Sequence, residues 1–487
     1  MFPRNWKSTC LAISLLALVA QASGAELLVG TASTDITPGE PVPLCGQFHL
    51  RISQGTETPV TANVLALESR ESGQSADLAI MVSCDVVYIP ADVLELVRQE
   101  VKKRVPDLDP KKVFLSGTHT HTAPELLAGK WVLPKEGVMT VERYQTFFAE
   151  RVADAVATAW KGRAPASVSW GLSHAVVAYN RRAVYADGSA RMYGPTNVPE
   201  FRGLEGYEDH DVGTLFAWNA AGKLIAVAVN VSCPSQEVES RTAINADFWH
   251  PVREALHEKY GEGVCVLGWT GSAGDQSPHL MYRKAAEERM RTLRGLTRLD
   301  EIARRVVRAV EEAYEVVKDD RHADVPLVHK VETIRLPMRL VTEAEYAEAK
   351  GEVEQAAAQI EKDPKATDRV YRRMKWYEVT VDRFEAQKTD PKPTLETELH
   401  VLRIGDAVVC TNQFELFTDF GIRIKARSKA VETFVIQLAG PGTYLPTDRA
   451  VRGGHYSAIV HSNLVGPEGG QMLVDRTVEV IDAMWEK

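Results

Sequence analysis

Long apolar runs are nearly missing from this chain of 487 residues. The one candidate, Leu11–Ala20 (LAISLLALVA), covers roughly 10 residues, about half of what a bilayer span needs. Arg4 and Lys7 precede it, and the small residues Ser23 and Ala25 lead to Glu26. The pattern is that of a secretory signal peptide over residues 1–25, so residues 26–487 are expected to be exported, to a periplasm or the medium, with no transmembrane segment. An excess of basic residues is also missing. Lys and Arg total 57 against 66 Asp and Glu, a net charge of -9, which excludes the electrostatic footprint of a nucleic-acid binder. Cysteine is scarce and unpaired. Of six, Cys10 lies in the leader, and Cys45, Cys84, Cys233, Cys265 and Cys410 form an odd set without paired spacing, which excludes a disulfide framework. No internal repeat or low-complexity segment is present, and nothing marks a domain boundary after residue 26.

What is present is the composition of a globular protein, 45% hydrophobic and 25% charged. Strand-like runs at Leu27–Thr34, Val60–Leu67 and Leu78–Cys84 precede a helical pattern over Ala91–Val105, a short apolar strand at Lys112–Ser116 and a helix over Glu142–Trp160. Further strands are expected at Ala166–Trp170, Leu224–Val231, Val264–Leu267, Leu399–Ile404 and Ala407–Thr411. Helices are expected at Pro251–Tyr260, from about Arg289 to Val317 as one long charged element, from near Phe414, and at Met472–Trp485. Residues 343–388 read as a peripheral helical hairpin that buries Trp376, Tyr377 and Phe384. The alternation predicts an α/β layered fold with a mixed sheet and peripheral helices.

Four segments carry chemistry-bearing residues. In Thr118-His119-Thr120-His121-Thr122, two histidines at i and i+2 on an extended segment share a side, and neutral imidazole suits zinc. Gly274-Asp275-Gln276-Ser277-Pro278 follows a strand on a small-residue turn, where a serine is placed as nucleophile or polariser. Phe414-Glu415 sits at a strand-to-helix junction. Gly440-Pro441-Gly442-Thr443-Tyr444 and Gly453-Gly454-His455-Tyr456 form a Gly- and Tyr-rich stretch near the end.

In order and placement these segments, with the opening GTASTDITP, resemble the neutral/alkaline (non-lysosomal) ceramidases, zinc-dependent hydrolases of the N-acyl-sphingosine amide bond. The resemblance implies that His119 is a zinc ligand and His121 lines the reaction centre. It implies that Arg181, in Tyr179-Asn180-Arg181-Arg182, faces the substrate carbonyl, with Arg182 the alternative match. Ser277 corresponds to the catalytic serine, Asp275 to the aspartate two before it, Glu415 and Tyr444 to ligands, and Tyr456 to a second active-site tyrosine.

Two departures accompany the likeness. Where the family has a second zinc histidine before a proline, this chain has Cys233-Pro234, so Cys233 is the expected substitute ligand and His250 the reserve. The chain also stops shortly after the tyrosine segment, where the family's enzymes carry an immunoglobulin-like domain. The resemblance therefore implies an exported, zinc-dependent amide hydrolase acting on a small-molecule or lipid N-acyl substrate. Two alternatives stand beside it: a hydrolase of another N-acyl or ester compound such as a modified sugar, and a non-catalytic binder that has lost the metal.

Overall fold

The structure, a computed structural model, describes residues 26–486; the leader expected at 1–25 lies outside the described residues. Strands β1 (Glu26–Asp35), β2 (Thr61–Glu71), β3 (Gln74–Cys84), β4 (Val113–Gly117), β5 (Ala164–His174), β6 (Asp211–Asn219), β7 (Leu224–Val231) and β8 (Cys265–Thr270) form one sheet in the order β8-β7-β6-β5-β1-β2-β3-β4. Its centre is antiparallel, and each edge carries a parallel pair, β3 with β4 and β7 with β8. A two-residue turn links β2 to β3 through Ser72 and Gly73, whose φ angles of 51° and 80° match the twist of the hairpin.

A second sheet, β9 (Leu327–Pro337), β10 (Thr394–Ile404), β11 (Ala407–Thr411) and β12 (Glu432–Ile436), runs in that order and ends in a parallel pair, β11 with β12. Alternation along the strands sorts the side chains to two faces. Leu65 and Leu67 of β2, Met81 of β3 and Trp269 of β8 meet Leu402, Val409, Phe434 and Ile436 of the second sheet, with Trp269 edge-on to Phe434 at 5.6 Å. The alternate residues Val64, Ala66, Ile80 and Val82 face outward onto helices Ala91–Arg104 and Val141–Lys161. Val227 and Val229 likewise meet helices Trp249–Tyr260 and Arg298–Val317. Helices Thr418–Arg427 and Pro467–Ala483 cover the far side of the second sheet.

Each parallel pair is joined through a helix, because parallel strands cannot be linked by a tight turn. The loops that leave β4, β8, β11 and β12 are therefore all at carboxyl ends, where open α/β sheets place their ligands. The large sheet curls so that its edges meet: Ser83 Oγ donates to Gly268 O (2.6 Å) and Thr270 Oγ1 to Gly117 O (3.3 Å). Gln437 N, just past β12, donates to Thr270 O (3.0 Å). Four carboxyl ends thus converge on one place.

Three expectations need correction. The long helix from Arg289 to Val317 is two helices, Lys284–Leu293 and Arg298–Val317. Gly295, in the left-handed region at φ 67°, ends the first, and Thr297 with Asp300 forms a reciprocal capping box that starts the second. The helix expected near Phe414 begins at Thr418, because Glu415–Leu416 first pairs as a short parallel strand with Tyr444–Leu445. Strands β6, β9 and β12 were not anticipated.

The segment after β3 is anchored by a buried ion pair. Asp85 receives Arg253 Nη1 and Nη2 at 2.7 and 2.9 Å, and also Thr61 N and Thr118 Oγ1. Asp85→Ala leaves the Arg253 cation buried without its partner, and about 3–5 kcal/mol of stability is expected to be lost. Urea unfolding followed by circular dichroism measures this; a change below about 1 kcal/mol would show the pair to be dispensable.

Candidate active site

Thr118–Thr122 leaves β4 and lies against the segment that follows β3. Thr118 N donates to Cys84 O (2.9 Å), and His119 N and Thr120 N both donate to Val86 O (3.0 and 3.2 Å). His119 takes a left-handed φ of 65°, which is unfavourable for a side chain bearing a Cβ by about 1–2 kcal/mol and is held by these bonds. The turn is not the extended segment expected from the i, i+2 spacing. The two imidazoles nevertheless converge, with Nε2 atoms 3.1 Å apart and ring centroids at 4.7 Å. His119 Nδ1 lies 3.1 Å from Val87 O, and His121 Nδ1 lies 2.9 Å from Glu239 Oε2. Burial lowers the pKa of both rings, so both are neutral near pH 7.

Glu415 and Tyr444 reach the same spot from the paired short strands, in direct register. Glu415 Oε2 is 3.6 Å from His119 Nε2, and Tyr444 stands edge-on to Tyr456 at 5.5 Å. Gly274 allows the approach of the β8 turn, since a Cβ there would fall 2.3 Å from Glu415 O. Gly274 N donates to Leu416 O (2.8 Å).

Arg181 bridges this group to a second one. Its Nη2 donates to Gly274 O (2.9 Å) and Tyr444 OH (3.2 Å), and Nη1 donates to Tyr193 OH (3.2 Å). Tyr193 OH is 3.0 Å from Ser277 Oγ, which also accepts from Gln236 Nε2 (3.2 Å) and His279 N (3.1 Å). Arg182 faces elsewhere, in a buried pair with Glu205 at 2.6 and 3.1 Å. Asp275 turns its carboxylate away from the cleft, accepting from Thr418 N, Thr418 Oγ1 and Asn180 Nδ2.

A cleft of about 380 Å³ opens over His119, His121, Glu415, Tyr444 and Tyr456. Trp376 and Arg372, from helix Thr367–Gln387, wall it together with Phe48, whose ring is edge-on to both Trp376 (5.4 Å) and Tyr456 (5.6 Å). Gln236, Tyr193, Glu239, Arg372 and Phe48 carried no sequence signal, because they come from three separate loops and a helix brought together only by the fold.

Two residues weighed as ligands are not brought to this group. Cys233 is packed among Val177, Ala178, Phe248 and Val252, its thiol 3.6 Å from Val177 O, and burial pushes its pKa well up, against thiolate. His250 sits in the first turn of helix Trp249–Tyr260 and does not line the cleft. Among the described residues, no three His, Cys, Asp or Glu side chains close into a metal cage by themselves. The donors meet pairwise about His119, at 3.1 and 3.6 Å, with a tyrosine beside them. Tetrahedral bonds of about 2.0–2.1 Å place neighbouring donors about 3.3 Å apart, so the spacing and chemistry fit a small divalent cation.

The fold and the cleft define an α/β protein of mixed sheets with a buried His–Glu–Tyr–Arg cluster at strand carboxyl ends. No family model matches the sequence, and no curated protein does. The structure is similar to that of the neutral ceramidase from Pseudomonas aeruginosa, with a TM-score of 0.67 and 16% identity, covering 94% of this chain and 75% of that one. It is similar also to a ceramidase complexed with C2, with a TM-score of 0.66 and 14% identity over the same shares. The chain has the ceramidase fold, as the sequence motifs led us to expect. No helix among the described residues is long and apolar enough to cross a membrane.

Burial pushes the Glu415 carboxyl up to about 7, against the pull of Arg181. The folded, cation-free protein therefore holds this proton between the unfolded value of about 4.3 and about 7, and loses stability as pH rises through that window. Glu415→Gln is expected to stabilise the cation-free protein by up to about 3 kcal/mol at about pH 8 and by little near pH 4. Thermal melts at the two pH values test this; an equal effect at both would refute it.

Proposed function

We propose that the protein is an exported, zinc-dependent hydrolase of linear N-acyl amides, with N-acyl-sphingosine or a related N-acyl compound as substrate. The observation that carries this reading is the chain of contacts from His119 through Glu415, Tyr444 and Arg181 to Ser277, set in a ceramidase fold. His119, Glu415 and Tyr444 would hold the zinc, which supplies Lewis-acid polarisation of the scissile carbonyl.

The chain's own groups do the rest. Arg181, buried and multiply bonded, is rigid and stabilises the negative charge that develops on the carbonyl oxygen. Ser277 Oγ already accepts from Gln236 and His279 N, so its lone pairs are engaged and its proton is the free element. Among the described residues no imidazole hydrogen-bonds to it, His279 reaching it only through its backbone N–H, unlike the serine–histidine pair of an acyl-transfer nucleophile. Ser277 therefore reads as a donor to the reacting carbonyl, while its oxygen accepts from Tyr193 OH as well. Burial raises the Tyr456 phenol well above its usual range, keeping it protonated and able to supply a proton to the departing amine. Asp275 positions the turn that bears Ser277. Water enters as the second substrate, and the products are a carboxylic acid and an amine.

A second reading, hydrolysis of a more polar N-acyl or ester compound such as a modified sugar, is favoured by the cleft wall. Arg372 faces Phe48 at 5.6 Å and forms no ion pair among the described residues, so the wall offers a cation and aromatic faces where a lipid would meet only apolar groups. Rates on a short-chain fluorogenic ceramide and on an N-acyl amino sugar separate the two.

Chelation or His119→Ala is expected to reduce hydrolysis of the better substrate by at least about 10³-fold, with zinc restoring only the chelated protein. Full activity after chelation would remove zinc from the reaction.

A further inference from the structure

We infer that His121, and not Cys233, completes the metal site, so that one turn supplies both imidazole ligands. The inference rests on the zinc reading above and names the ligand that reading leaves open.

Hydrogen placement carries the argument. His119 Nδ1 is 3.1 Å from the Val87 carbonyl, which only accepts, so Nδ1 bears the hydrogen and Nε2 is a bare lone pair. His121 Nδ1 is 2.9 Å from Glu239 Oε2. This contact is too poorly aligned for a hydrogen bond, yet a carboxylate so close repels a lone pair and keeps the hydrogen on Nδ1. His121 Nε2 is then bare as well. The two bare nitrogens face each other at 3.1 Å, a repulsive arrangement unless a positive centre lies between them. A tetrahedral cation bonded at about 2.0–2.1 Å would sit there, with its donors about 3.3 Å apart.

The surroundings fix the His121 ring in that pose. Gly46 passes so close that a Cβ would fall 2.5 Å from the imidazole. Glu239 behind the ring places a carboxylate 2.9 Å from Nδ1, whose charge raises the basicity of the opposite nitrogen as a ligand. Arg51 Nη2 donates to His121 O (2.6 Å), fixing the backbone. Cys233, by contrast, has its sulfur against the Val177 carbonyl within an apolar cluster. The turn has recruited its second histidine to a place that the family fills from another strand.

The test is metal binding by the full chain after chelation. Zinc titration is expected to give one ion per chain, and the cobalt-substituted protein is expected to show ligand-field bands without a sulfur-to-cobalt charge-transfer band. His121→Ala should weaken zinc by about 100-fold or more, and Glu239→Gln by about tenfold. Cys233→Ala should change it by less than about threefold, all three variants being checked for native circular dichroism. A sulfur-to-cobalt band, or zinc affinity lost with Cys233→Ala and kept with His121→Ala, overturns the inference and leaves the zinc reading standing. A wild-type chain that binds no ion overturns both.

Discussion

The Asp275 carboxylate accepts three hydrogen bonds from two separate elements, the start of helix Thr418–Arg427 and the strand Tyr179–Asn180. Its backbone carbonyl also receives Arg181 N (2.9 Å). One buried anion therefore sets the β8 turn, the helix behind Glu415 and the arginine that spans the cleft. A carboxylate at a helix N-terminus is favoured by the exposed amides and the helix dipole, which here offset the burial of charge. Arg181 and Ser277 depend on this tie, since Arg181 N is bonded to the Asp275 carbonyl and Ser277 follows Asp275 by two residues. The further buried pair of Arg182 and Glu205 secures the same segment from its other side.

Most of the framework was legible in the sequence. Strands β7 and β11 were read to the residue, since uninterrupted apolar runs leave little freedom, and Ala91–Arg104 followed from its Val93, Val97, Val101 spacing. The break at Gly295-Leu296-Thr297 was missed although both signals, a glycine and a T-x-x-D box, stand in the sequence; charged flanks masked them. Strand β9 was missed because its outward residues, among them Lys330 and Glu332, alternate with few large apolar ones.

The site was legible by residue type and less so by geometry. The neighbouring histidines announce themselves, but the left-handed turn at His119 depends on bonds to Val86, over 30 positions earlier, and no local rule foretells it. Gln236 and Tyr193 gain their meaning only where three loops meet on Ser277. Cys233 stands where the resemblance implies a ligand, while its side chain belongs to the apolar core, a difference that spacing cannot express.

The helical hairpin Glu343–Lys362 and Thr367–Gln387 contributes Trp376 and Arg372 to the cleft but none of the groups at its floor. It is attached through a small apolar patch of Val341, Phe384 and Val460 and through Arg383, which donates to the carbonyls of Val460 and Asn463. The wall and the floor of the cleft are thus supplied by separate modules. Variation in the hairpin can reshape the mouth of the cleft while the sheet ends that carry His119, Glu415 and Tyr444 stay as they are.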